Sequence, residues 1–225
     1  MAYLVLLRHG QSIWNKLNLF TGWVDVPLSL EGINEALNAA EKIKSFCFDE
    51  VYTSLLIRSI QTAMISLSKI ECGKMPVIQH EEGLMKTWSN MDKNANILPV
   101  YENVALNERY YGSLQGKNKE EMSVIYGENV VHTWRRSYDT KPPGGESLQD
   151  NYKRTIPFFE NVIFEKLKDN KNILISAHGN SLRSIMKFIE NISDEEIPHI
   201  EVPTGTPIVY NFEGNNLLSK KVLDG

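Results

Sequence analysis

The chain carries the same strand ending twice. Near its start an apolar run, residues 3–7, stops at Arg8-His9-Gly10, and far downstream a second run, Ile173–Ala177, stops at His178-Gly179. The second run is almost wholly apolar, as expected of a parallel strand covered on both faces. A histidine and a glycine at such an end put an imidazole at the carboxyl edge of a sheet, where open α/β sheets bind ligands. Two of these ends can face each other across one crevice.

The segments between them follow an α/β rhythm. Ser29 is placed to cap a helix in which Ile33, Ala36, Leu37, Ala40 and Ile43 recur at helical spacing. Glu50–Thr53 reads as a short strand, and Ser54 as the cap of a second helix with Ile57, Ile60, Ala63, Met64 and Leu67 on one side. Residues 85–104 break the rhythm. They hold Trp88, Asn90, Asp92, Lys93, Asn94, Asn96, Pro99 and Asn103 with no sustained period, and are expected to form a long surface insertion.

Beyond it, residues 120–126 look helical, and Pro142-Pro143-Gly144-Gly145 is a firm break before Ser147. Ser147 caps a long pattern with Leu148, Tyr152, Ile156, Phe159, Ile163 and Leu167 as its buried stripe, and Pro157 should kink it. A helix is expected over 180–189, a further turn after the capping box Ser193 to Glu196, and a closing hairpin from 207–212 and 217–222. The sum is a single domain over 1–225 of class α/β: a three-layer α/β/α sandwich with a mostly parallel central sheet.

Composition narrows the function. With 225 residues, 42% of them hydrophobic, the chain can bury a substantial core without staples. Its 24 Lys and Arg against 28 Asp and Glu argue against nucleic acid or an anionic membrane as the main partner, and leave local basic clusters free to bind a small anion. Cys47 and Cys72 have neither metal-ligand spacing nor a disulfide framework, so a reducing compartment is expected. No signal peptide or membrane span is legible, so the expected location is cytoplasmic.

His9 is the candidate nucleophile, because an imidazole nitrogen can take a phosphoryl group and hand it on, splitting a hard transfer into two steps. Such a transfer needs cations to stabilise the charge spread over the oxygens, and Arg8 and Arg58 are available. Taken singly, a histidine beside a glycine is an ordinary polar residue and an arginine early in a helix is ordinarily solvated. Two histidine-glycine strand ends with an arginine beside the first make an anion-handling site. His80, His132 and His199 are scattered away from carboxylate clusters, so no metal is expected.

Leu7-Arg8-His9-Gly10-Gln11-Ser12 resembles the signature of the histidine phosphatase superfamily, and the rest of the chain resembles its cofactor-dependent phosphoglycerate mutases. The likeness runs through Trp14-Asn15, Phe20-Thr21-Gly22-Trp23, Tyr52-Thr53-Ser54 with Arg58, and Leu106-Asn107-Glu108-Arg109-Tyr110-Tyr111-Gly112. It continues through Lys117-Asn118-Lys119, Trp134-Arg135-Arg136, His178-Gly179-Asn180-Ser181-Leu182-Arg183 and Pro203-Thr204-Gly205.

The resemblance implies that His9 is phosphorylated, that Arg8, Arg58 and His178 line the phosphate pocket, and that Glu108 gives and takes the proton. It further implies that Asn15, Thr21, Gly22, Tyr111, Lys119, Arg135, Arg136, Gly179 and Asn180 surround the phosphate and the glycerate carboxylate. It implies interconversion of 3-phosphoglycerate and 2-phosphoglycerate in glycolysis and gluconeogenesis, 2,3-bisphosphoglycerate as the primer of His9, no metal, and a homo-oligomer (dimer or tetramer). A bisphosphoglycerate synthase, a phosphatase or a broader phosphomonoesterase of the same fold would share these residues. A non-catalytic binding protein would show damage among His9, Arg8, Arg58, Glu108 and His178, and all are present.

The chain departs from the pattern in four places. Gln11 stands where the family usually has glutamate, 85–104 looks longer than its counterpart, and the stretch between Arg136 and Ser147 looks shorter. Many members also continue with a Lys-rich tail past the last strand, where this chain ends at Leu223-Asp224-Gly225. A site without that cover is expected to admit water and raise hydrolysis relative to transfer.

Overall fold

The computed structural model describes residues 1–80, 82–88 and 96–224. Its strands are β1 (Ala2–Arg8), β2 (Glu50–Thr53), β3 (Met75–Ile78), β4 (Ile97–Glu102), β5 (Ile173–Ala177), β6 (Pro207–Glu213) and β7 (Asn216–Val222). They form one sheet in the order β3-β4-β2-β5-β1-β6-β7. All neighbours from β3 to β1 pair in parallel, and the closing hairpin of β6 and β7 adds antiparallel to β1. The sheet is therefore mostly parallel, as expected.

The helices are α1 (Ile13–Lys16), α2 (Leu30–Ile43), α3 (Ile57–Ser66), α4 (Gly83–Trp88), α5 (Lys119–Tyr126), α6 (Glu128–Arg136), α7 (Leu148–Phe158), α8 (Glu165–Lys168) and α9 (Gly179–Glu190). Strand alternation sorts the apolar residues into two cores, one on each face of the sheet. Leu4 and Leu6 of β1, with Ile173 and Ile175 of β5, meet Ile156, Phe159, Ile163, Leu167, Leu182 and Ile185. Val5 and Leu7, with Leu174, meet Ala39, Ile43, Ala63 and Leu67 on the opposite face. Because β1 and β5 are covered on both sides, neither needs a polar alternation.

Three expectations are corrected. The segment read as a surface insertion contains β4, whose Leu98 and Val100 are buried between β2 and β3. Pro99 disguised it. This proline stands opposite Val77 of β3, and the pairing with β2 begins only at Val100. Asn90, Asp92, Lys93 and Asn94 lie outside the described residues. In α2 the smaller residues Gly32, Ala36, Ala39 and Ala40 are buried with Ile43, whereas Ile33 and Leu37 stay partly exposed.

The third concerns the polar residues of α3. Helix α3 buries Arg58, Ser59, Thr62, Ala63 and Ser66, so its polar face is the inner one, and its N-cap is Leu56 and not Ser54. Pro157, expected to kink its helix, sits inside α7 just before an irregular segment. Residues Phe159–Phe164 widen into π-helical hydrogen bonding before α8 begins, and Ile156, Phe159, Ile163 and Leu167 of the expected stripe stay buried.

Candidate active site

The site is built where β1, β2 and β5 end side by side. Arg8 pairs with Ala177, and the His9 amide prolongs the ladder by donating to the Ala177 carbonyl at 2.9 Å. The two following histidines are thereby neighbours, with ring centroids 4.9 Å apart and planes tilted by 60°. His9 lines the pocket; His178, fully buried, lies behind it and not on the wall.

Hydrogen bonding sets the state of His9. Its Nδ1 lies 2.7 Å from the Gly10 carbonyl, the acceptor that the sequence did not reveal. A carbonyl can only accept, so Nδ1 carries the proton and Nε2 keeps its lone pair. Burial first, then the charges of Arg58 and Arg8, hold the imidazole pKa well below the ordinary 6.5, which keeps the ring neutral at pH 7.

The loop after His9 is pressed against the first turn of α2. A Cβ on Gly10 would lie 2.3 Å from the Gly32 carbonyl oxygen, and one on Gly32 would lie 2.1 Å from that of Gln11, so both positions require glycine. Ser29 caps α2 through the Gly32 amide and also donates to Gln11 Oε1 at 2.9 Å. The neutral residue at position 11 therefore has a structural partner of its own.

His178 is held differently. Its Nε2 lies 2.7 Å from Ser54 Oγ, which lies 2.7 Å from Ser59 Oγ and accepts from the Leu56 amide at 3.1 Å. Nδ1 is buried with no protein partner. Burial, then Arg58, His9 and Arg8, push this pKa well below 6.5 as well. Ser54, part of the Tyr52-Thr53-Ser54 likeness and expected to cap a helix, instead contacts His178, a partnership the sequence did not reveal.

Two arginines stand beside the rings. Arg58, 1% exposed, donates to the Gly22 carbonyl at 2.7 Å and the Val24 carbonyl at 3.0 Å. Its burial lowers its pKa to about 10 against the opposing pull of Glu108 and Asp25. Arg8 donates through Nη1 to the Val202 carbonyl at 2.7 Å, and its Nε is buried without a partner. Thr21 Oγ1 is likewise buried and unpartnered.

Glu108 is fixed from both ends. Oε1 accepts from the Asn180 side-chain amide and from the Arg109 backbone amide, each at 2.7 Å. Its carbonyl accepts from Trp23 Nε1 at 2.5 Å and from Arg154 Nη2 at 3.3 Å. The Arg109 guanidinium forms no ion pair with it. That group is fully buried, 4.8 Å over the Tyr111 ring, with Nη2 donating to the Tyr111 hydroxyl at 3.2 Å.

The outer wall comes from α5 and α6, which rest on a small core of Phe20, Leu114, Met122 and Val131. Lys119 opens α5, and burial brings its pKa down to about 8, helped by Arg135 and Arg8. Arg135 and Arg136 occupy the last turn of α6. Asn15, Thr21, Gly22, Tyr111, Gly179 and Asn180 complete the lining, so every expected residue except His178 reaches the pocket.

Arg183 and Glu201 also line the pocket and were not singled out from sequence. Arg183 had a signal, since it lies one helical turn beyond Gly179 and Asn180 on α9. Glu201, in a loop, had none. Among the described residues, no three His, Cys, Asp or Glu side chains converge to hold a metal ion, and no helix is long and apolar enough to cross a membrane.

Similarities to known proteins agree with this geometry. The model of the histidine phosphatase superfamily (branch 1) matches residues 4–85 and 84–224. The chain is 51% identical to the 2,3-bisphosphoglycerate-dependent phosphoglycerate mutase of Chlamydia caviae, over 96% of each chain. It is 47% identical to the enzyme of that name from Methanococcus vannielii, over 100% of this chain and 98% of the relative. The fold matches the alpha-ribazole phosphatase from Shigella flexneri with a TM-score of 0.73 at 23% identity, covering 96% of this chain and 93% of that one. It matches a mycobacterial glucosyl-3-phosphoglycerate phosphatase with a TM-score of 0.72 at 19% identity, covering 99% and 97%. The chain belongs to the histidine phosphatase superfamily (branch 1), within the family of the 2,3-bisphosphoglycerate-dependent phosphoglycerate mutases.

Proposed function

We propose that the chain interconverts 3-phosphoglycerate and 2-phosphoglycerate through a phosphohistidine on His9, as a cytoplasmic homo-oligomer of one-domain subunits in glycolysis and gluconeogenesis. The observation that carries this reading is the His9 ring itself: neutral, with Nδ1–H spent on the Gly10 carbonyl, in a pocket with Arg8, Arg58 and Lys119. In this reading Nε2 attacks phosphorus, and the cations stabilise the charge on the transferring group.

Glu108 takes the proton of the attacking substrate hydroxyl and returns it to the departing oxygen in the opposite direction. Asn180 and the Arg109 amide hold the carboxylate that does this. Ser54 Oγ accepts from the Leu56 amide and lies within hydrogen-bond distance of His178 Nε2, which anchors the buried His178 ring directly behind that of His9. Arg135 and Arg136 grip the doubly anionic substrate from the outer wall.

The donor set suits 2,3-bisphosphoglycerate, because Arg8 Nε and Thr21 Oγ1 are buried polar atoms with no protein partner in a pocket lined by cations. Arg8, Arg58, Lys119, Arg135 and Arg136 would hold it, and when bound it supplies the phosphoryl group that charges His9. The test is phosphorus NMR of 3-phosphoglycerate turnover with and without catalytic 2,3-bisphosphoglycerate. The expected result is 2-phosphoglycerate, stimulated by the bisphosphate and lost in His9→Ala. Free phosphate as the main product would overturn the mutase reading in favour of a phosphatase.

A further inference from the structure

The outer end of the pocket already contains a carboxylate. Glu201 Oε1 lies 2.7 Å from Arg136 Nη2, and Oε2 lies 3.8 Å from Arg183 Nη2, so the two oxygens of one side chain reach two guanidinium groups. Arg136 Nη1 donates to the Pro198 carbonyl at 3.2 Å, while Arg183 donates through Nε to the Ile200 carbonyl at 2.6 Å and through Nη1 to Asn180 Oδ1 at 3.4 Å. Glu201 itself is 66% exposed at its side chain, against 28% for Arg136 and 10% for Arg183. It is thus held at the mouth by charge, with most of its side chain facing solvent.

We propose that Glu201 is an internal competitor for the substrate carboxylate: its own carboxylate occupies Arg136 in the free protein and is displaced when a phosphoglycerate binds. The inference rests on the mutase reading, which gives Arg136 a ligand carboxylate to hold. A guanidinium fork accepts one bidentate carboxylate well and two poorly, and a second anion next to a bound substrate repels it. An exposed pair of this kind is weak enough to exchange, and its rupture is compensated by the substrate's own pair with Arg136. Glu201 is therefore a specificity-determining residue. It raises the threshold for any ligand that needs Arg136, whereas Arg58 and Arg8, held on the Gly22, Val24 and Val202 carbonyls, form no ion pair with it and keep their phosphate contacts when its charge is removed.

A second arrangement predicts the opposite sign. If Glu201 only orients Arg136, removing its charge weakens the grip on the ligand. Titration calorimetry on His9→Ala protein, with and without Glu201→Gln, separates the two. The probes are 3-phosphoglycerate and glycerol 3-phosphate, the second lacking a carboxylate.

The expected result is a roughly two- to fivefold tighter Kd for 3-phosphoglycerate in Glu201→Gln, the scale of an exposed ion pair at a factor of ten per 1.4 kcal/mol. The gain for glycerol 3-phosphate should be below twofold. Glu201→Ala, which cannot hydrogen-bond Arg136, should repeat the gain. Unchanged or weaker binding of 3-phosphoglycerate, or an equal gain for both probes, would overturn the proposal. If 3-phosphoglycerate fails to bind the Glu201 protein and both variants alike, the mutase reading falls, and the proposal with it.

Discussion

The floor and the rim of the pocket are made of similar cations under different rules. At the floor, His9, His178, Ser54 and Arg58 are almost fully buried and tied to backbone carbonyls or to one another. At the rim, Arg135 is exposed and Arg136 and Glu201 share a pair that water reaches. The floor has been ordered by folding and is ready for charge developing on a transferring group, which is where fixed dipoles are most effective. The rim is adjustable, and its interactions with an anion are shared with solvent. Damage to the floor should therefore appear in kcat, and damage to the rim in KM.

The largest expected effect short of removing His9 is at Glu108. Glu108→Gln keeps the shape and loses the proton transfer, so kcat should fall by about 10²- to 10⁴-fold with KM little changed, measured in steady-state turnover of 3-phosphoglycerate. A fall in KM affinity instead would move Glu108 from the floor to the rim. Next is Ser54→Ala, which leaves His178 Nε2 buried without a partner. It should destabilise the fold by about 1 to 3 kcal/mol in urea denaturation and lower kcat about tenfold.

The third test uses acid. His9 and His178 stay neutral in the folded protein well below 6.5, whereas the unfolded chain takes up protons there. Stability is full above about pH 6.5 and is lost as pH falls, at about 1.4 kcal/mol per pH unit for each histidine. Urea midpoints at pH 7.5, 6 and 5 check it; midpoints independent of pH would mean that the rings are not neutral in the fold. The smallest effect is at the rim's inner edge. Lys119, with its pKa lowered to about 8, loses its charge above that pH, so kcat/KM should decline on the alkaline side. Lys119→Arg keeps its charge and should remove the decline, worth up to about tenfold, in a pH profile.

The floor's ligands were more legible in the sequence than its supports. An apolar run ending in His-Gly announces an exposed strand end, and the sequence spacing of the two runs left only their adjacency to be seen. Ser59 was invisible, and Ser54 was legible only within the Tyr52-Thr53-Ser54 likeness and not as the partner of His178, because a serine near a helix start has a commoner use and α3 turns its polar face inward. Burial of that face is stabilised by the site's hydrogen bonds, a tertiary fact with no local signature. The same limit hid β4, where Pro99 interrupts an otherwise readable strand, and β3, whose short run Met75–Ile78 includes Pro76. At the rim, Arg135-Arg136 stood out as a pair. Glu201 did not, since an acid in a loop is ordinarily solvated and only the fold brings it against Arg136 and Arg183.

The position of the phosphate on His9 tests the account most directly. With Nδ1–H donated to the Gly10 carbonyl, only Nε2 is free to attack. Protein labelled with 2,3-bisphosphoglycerate and examined by phosphorus NMR should carry one acid-labile, alkali-stable phosphoryl group on Nε2 of His9, absent from His9→Ala. A phosphoryl group on Nδ1, or one on another residue that survives the substitution, would contradict it.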